Sequence, residues 1–91
     1  MNCVLRKLTN EMYNDKNNYF ARTIGNYRVV RNIGYIYHYY FGNRICDVDL
    51  NKKEFSLHNC GYEKYALTTA QLNYLEKFYK NKGYKLIYRG I

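Results

Sequence analysis

The sequence predicts an α+β fold, a single small domain in which an antiparallel twisted sheet, built as a meander, carries one C-terminal helix and a short final strand. Three observations carry this prediction. From Tyr19 onward the hydrophobic period is two, among β-branched and aromatic residues. Glycines at 25, 34 and 42 punctuate that run at the spacing of turns between short strands. From Thr68 to Gly83 the period becomes helical, with a start signal and a stop signal in place. Ninety-one residues supply one hydrophobic core and not two. The division is therefore residues 1–18 as an N-terminal helix or arm with its linker, and 19–91 as the α+β domain.

Taken in order, Val4, Leu5, Leu8 and Met12 recur at helical spacing, and the polar stretch Asn14 to Asn18 ends that segment. Strands are expected near Phe20 to Ile24, Tyr27 to Ile33, Tyr35 to Phe41, Arg44 to Leu50 and Phe55 to Asn59. In the last two, Cys46, Val48 and Leu50 alternate on one face and must share it with Phe55 and Leu57. Pairing Leu50 with Phe55, or with Lys53 across Asn51-Lys52, satisfies that demand and turns Asp47 and Asp49 outward; a slip by one residue would bury both acids. The longer loop sets Asp47 opposite His58.

The helix that follows is read from its ends. Thr68 as N-cap places Gln71 at the third position, a capping box, and sets Leu67 against Leu72 as a hydrophobic staple. Leu72, Leu75, Phe78 and Tyr79 form the core stripe, and Gly83 after Lys80 and Lys82 supplies the C-cap. Tyr84 to Arg89 alternates again and returns as a strand added to the sheet.

Composition narrows the function. Fifteen Lys and Arg against seven Asp and Glu give a net charge of +8, which attracts nucleic acid, anionic membrane or acidic protein surfaces. Thirteen Tyr and four Phe add stiff contact area with polar tips. Cys3, Cys46 and Cys60 contain no CxxC pair, so neither a disulfide framework nor a zinc ribbon is signalled, and no cofactor or metal is expected. No phosphate-binding glycine motif occurs, and Ser56 is the only serine. With the two His residues 20 apart, the sequence reads as a binder and not an enzyme. It has neither an apolar membrane span nor a signal sequence, so a cytoplasmic protein is expected.

The strand Arg44-Ile45-Cys46-Asp47-Val48-Asp49, the step Leu57-His58-Asn59-Cys60-Gly61-Tyr62 and the helix start Thr68-Thr69 with Leu72-Asn73 occur in that order. Over roughly residues 19–91 this order resembles a loose group of small, uncharacterised phage and mobile-element proteins, which have a Gly-aromatic step followed by a Thr-Thr-x-x-apolar-Asn helix. The resemblance implies a small accessory protein of an infected bacterial cell that acts by binding. It implies no catalytic residues.

Two stretches are single-signed. Lys16 to Arg44 holds five cations and no acid, interleaved with tyrosines, and Lys77 to Arg89 holds five more cations and no acid. Cations with aromatic platforms are the parts of a single-strand nucleic-acid surface. The candidate contacts are Arg22, Arg28, Arg31, Tyr35, Tyr37, Tyr39, Arg44, Lys77, Lys80, Lys85 and Arg89. The leading expectation is a partner that is nucleic acid or a host nucleoprotein machine, with an anti-CRISPR-like inhibitor of host defence as its most concrete form. The alternative is a protein-protein module or homodimer that uses a Tyr-rich sheet face.

Overall fold

Six strands and two helices make up residues 3–59 and 66–90, which the computed structural model describes. They run α1 (Cys3–Asn14), β1 (Phe20–Ile24), β2 (Tyr27–Arg31), β3 (Tyr35–Tyr40), β4 (Asn43–Asp49), β5 (Glu54–Leu57), α2 (Ala66–Asn81) and β6 (Lys85–Arg89). The sheet order follows the chain, β1 to β6, and the first four pairings are antiparallel. The last strand departs from the meander, because β6 joins β5 in parallel. Parallel neighbours need a long crossover, and α2 provides it.

The N-terminal segment is an integral layer of the fold and not an arm. Leu5, Leu8 and Met12 are fully buried, and α1 packs against β1 and β2. α2 lies on the same side of the sheet against β4, β5 and β6 through Leu72, Leu75 and Tyr79, so both helices share one core with Val29, Ile36, Val48, Phe55 and Leu57. None of the helices among the described residues is long and apolar enough to cross a membrane.

Local irregularities set which side chains enter that core. Between β3 and β4 the register steps from His38 opposite Cys46 to Tyr39 opposite Arg44, which leaves Ile45 as the extra residue of a bulge. Strict alternation would turn Ile45 to solvent; the bulge lets Ile45 and Cys46, neighbours in sequence, both be fully buried. The β4–β5 hairpin takes the shorter of the two expected registers, with Val48 opposite Phe55 and Asp49 opposite Glu54. Asp49 Oδ1 holds its turn by accepting from the Asn51 and Lys52 amides, both at 3.0 Å. The β3–β4 turn places Phe41 and Gly42 at φ 51° and 78°, the left-handed pair of a two-residue hairpin whose twist matches the strands. Glycine adopts this conformation freely, whereas phenylalanine is strained there.

Two buried polar contacts tie α2 to the sheet. Tyr79 Oη and His38 Nε2 lie 2.6 Å apart, and Gln71 Nε2 donates to Tyr27 Oη. Burial pushes the His38 imidazole down to about 3, so the ring is neutral, and its Nδ1 has no partner among the described residues. Burial, with Tyr40 alongside, raises the Tyr27 phenol to about 12 against the opposing hydrogen bond from Gln71.

The start of α2 differs from the expected one. The helix begins at Ala66, so Thr68 lies inside its first turn and not at the N-cap, and Gln71 is a buried sheet contact and not the far member of a capping box. A buried amide gains more from the Tyr27 hydroxyl than from closing an exposed cap. The actual cap, the Leu67 contact and the Cys60-Gly61-Tyr62 step fall outside the described residues. The other end is as expected. Gly83 has φ 91°, its amide donates to the Lys80 carbonyl at 3.1 Å, and the Tyr84 amide reaches the Tyr79 carbonyl at 3.0 Å. These are the two bonds of a Schellman motif, and the Tyr79 and Tyr84 rings meet edge to face at 5.6 Å as its apolar contact.

Gly83→Ala is expected to cost about 1–2 kcal/mol, because a side chain must then occupy the left-handed position; urea unfolding measures this. His38 predicts a pH dependence. Its native ring resists protonation down to about 3, while the unfolded ring takes a proton near 6.5, so the unfolded state binds more protons between these values. Stability should be complete above pH 6.5 and fall by about 1.4 kcal/mol per unit as pH drops below it. In unfolding experiments from pH 6.5 to 5, His38→Gln should remove most of that slope.

Candidate functional site

Because side chains alternate across each strand, the helices cover one face of the sheet and leave the other open. Across the middle of the open face the pairing registers line up Ala21, Val30, Tyr37, Asp47, Ser56 and Tyr88, one residue from each strand. Beside this row lie Thr23, Arg28, Tyr39 and Arg44, and on its other side Tyr35, Asp49, Glu54 and Lys85. The Tyr row of β3 is therefore the uncovered one, and Ile36, His38 and Tyr40 form the core row. Tyr35 and Tyr37 stack with their rings almost parallel at 5.9 Å, and the Arg44 guanidinium lies 4.8 Å from the centroid of Tyr37. Phe41, Ile87 and Tyr88 add aromatic and aliphatic surface more than half exposed.

The charges on this face are balanced. Arg28, Arg44 and Lys85 share it with Asp47, Asp49 and Glu54. Arg28 donates to Thr23 Oγ1 at 3.0 Å. Asp47 is held from two sides, by Arg44 Nε at 2.7 Å and His58 Nε2 at 3.0 Å. Register places Asp47 opposite Ser56, so His58 reaches it diagonally and not from directly across. Arg44, Asp47, His58 and Tyr88 line a shallow depression of about 450 Å³. A nucleophilic triad would need the imidazole to bridge Asp47 and Ser56, and His58 makes no hydrogen bond to Ser56.

Of the eleven residues singled out in the sequence, Arg28, Tyr35, Tyr37, Tyr39, Arg44 and Lys85 thus come together on the open face. Arg22, Arg31 and Arg89 face the helices. Arg22 pairs with Glu11 of α1. Arg31 donates to the carbonyls of Met12 at 2.6 Å, Asp15 at 2.8 Å and Asn17, closing the C-terminal end of α1. Arg89 binds Glu76 and Asn73 of α2. Lys77 and Lys80 project from α2, and Lys80 pairs with Glu76 at 2.8 Å. Hydrogen bonds from Lys80 and Arg89 hold the Glu76 carboxyl below its ordinary value. The sequence reading left Val30, Phe41, Ile87 and Tyr88 out of the face; the parity of the strand registers is the signal that places Val30 and Tyr88 there.

Nor do the possible metal ligands meet on one side. His38 and Cys46 point into the core, His58 lies on the open face, and no group of three such side chains gathers among the described residues. Burial, and Asp47 beside it, raise the Cys46 thiol well above its ordinary value, which disfavours the thiolate a metal ligand or nucleophile would need. Comparison of the chain with protein-family models, with curated proteins and with solved structures returns no match.

The two arginines once grouped as contacts separate by stability. Arg31→Ala should cost about 2 kcal/mol, since a charged donor to several helix-end carbonyls is lost. Arg28→Ala should stay within about 0.5 kcal/mol. Denaturant midpoints of the two variants measure the difference.

Proposed function

We propose that the chain is a non-catalytic binding module whose working surface is the open face of the sheet, and that its partner there is a protein. The single observation that carries this reading is the composition of that face: tyrosines set in rows, Ile87 and Phe41 at its margins, and equal numbers of cations and acids. Protein interfaces are enriched in Tyr and Arg and are not strongly single-signed at their centres, whereas a single-strand surface needs cations in excess. The strained Phe41 supports the same reading. An exposed phenylalanine held at φ 51° costs stability that Asn or Gly would not, and such strain concentrates at contact sites. In the setting that the phage-protein resemblance implies, the partner is a protein of the host, including those of nucleic-acid-guided defence, met in the cytoplasm.

Affinity capture from a nuclease-treated bacterial lysate at about 0.5 M salt removes contacts that depend on charge alone. Under these conditions the wild type should retain a protein, and Tyr37→Ser combined with Tyr88→Ser should weaken that purified complex by more than about tenfold with its melting profile unchanged. Equal capture by the double variant would remove the open face from consideration.

A further inference from the structure

The sheet is open, so β1 and β6 are its two edges, and they are finished differently. β6 is broken by a bulge that leaves Ile87 unpaired, since Phe55 lies opposite Leu86 and Ser56 opposite Tyr88. A bulge blunts an edge against pairing with another chain. β1 has neither bulge nor proline; it keeps unbroken register with β2, and its three central residues are exposed. The Asn26 carbonyl accepts from the Phe41 amide at 2.9 Å, so even-numbered residues along β2 bond toward β3 and odd-numbered ones toward β1. Phe20, Arg22 and Ile24 therefore exchange bonds with Arg31, Val29 and Tyr27. Ala21 and Thr23 turn their amides and carbonyls outward, and no described residue bonds to them there.

We propose that the β1 edge pairs with the β1 edge of a second copy of this chain, antiparallel about a two-fold axis at Arg22. In that register Ala21 of each copy lies opposite Thr23 of the other, and every outward amide meets an outward carbonyl. The side chains match as well. On the helix side Phe20 comes opposite Ile24, each partly buried at the margin of its own core, so apolar contact flanks the axis on both sides. At the axis the two Arg22 side chains are neighbours, and like charges so placed repel. Each copy also brings Glu11, already paired with its Arg22, so cations and acids at the axis are equal in number. On the open face the facing side chains are the small Ala21 and Thr23, which leave the approach clear. One residue before the strand, Tyr19 is 66% exposed and comes beside Gly25 of the second copy, where a Cβ would meet nothing within 4 Å. An aromatic ring over a cross-strand glycine stabilises such pairing. Because α1 lies over β1 and β2, the α1 helices of the two copies stand about three strand spacings, or about 14 Å, apart. Packed helices need only about 8–10 Å, so these do not collide. A two-fold interface closes on itself, and assembly stops at the dimer. The tyrosine face stays uncovered, so this proposal and the protein-binding reading can fail separately.

The test is sedimentation equilibrium of the full chain over about 1–500 µM. The wild type should pass from monomer to dimer and go no further. Ala21→Pro and, separately, Thr23→Pro each remove an outward amide that β2 does not use, so the monomer should keep its fold, checked by thermal melts. Dimerisation of either variant should weaken at least about tenfold, because a carbonyl of each copy is left facing a proline ring. Tyr37→Ser combined with Tyr88→Ser, on the open face, should dimerise like the wild type. A wild type that is monomeric at every concentration would overturn the proposal and leave the edge to a strand of another protein. Assembly beyond the dimer would overturn it too, as would wild-type dimerisation in both proline variants. Loss of the dimer in the tyrosine variant alone would move self-association to the open face and would equally overturn it.

Discussion

A six-stranded sheet with both helices on one side obliges every strand to serve two solvents. Period-two alternation sends half of each strand into the core, where Ile36, Val48, Phe55 and Leu57 lose contact with water, and the other half onto a face that no element among the described residues covers. Everything distinctive about this chain follows from that asymmetry. An uncovered face must be soluble, yet its backbone favours bulky, stiff side chains. Tyrosine meets both demands, so β3 can carry Tyr35, Tyr37 and Tyr39 outward while Ile36, His38 and Tyr40 pack inward.

Electrostatics then divides along the same plane. The sheet sends Arg22, Arg31 and Arg89 toward the helices, where they meet Glu11, the carbonyls closing α1, and Glu76. These are fasteners at the margins of an apolar core, and they account for cations that composition alone assigns to ligand binding. At the centre, α2 is located by polar bonds within the core, Tyr79 to His38 and Gln71 to Tyr27. Such bonds add modest net stability but penalise any other placement of the helix, which would leave the groups buried and unpaired.

Element existence was legible throughout, since the change from helical to two-residue period at Tyr19, the glycine spacing and the Gly83 stop all mark local chemistry that tertiary contacts reinforce. The β4–β5 register was narrowed to two choices by the need to keep Asp47 and Asp49 out of the core, and the structure takes one of them. Three features were not legible. The bulge that buries Ile45 depends on a cross-strand mismatch, the Gln71 contact on a residue 44 positions away, and the parallel placement of β6 on the crossover path of α2. For the site, neither of the two single-signed stretches lies on one surface. Arg28 and Arg31 are three apart on one strand and so lie on opposite faces; parity already contained that answer, but linear charge counting does not use it.

The parallel pairing of β6 with β5 also bears on the order in which the molecule assembles. β1 to β5 join by tight turns and can zip from their hairpins, each pairing closing a loop of only a few residues. β6 has no such route. It can register against β5 only after the intervening chain, α2 included, has brought it back alongside, so this pairing carries the largest loop-closure entropy in the sheet. Until then β5 is an unsatisfied edge, with its amides and carbonyls open to pairing with another chain. The interval before closure is thus when that edge is open to misassembly, and the Schellman turn at Gly83 is the element that aims the chain back from the end of α2 toward it.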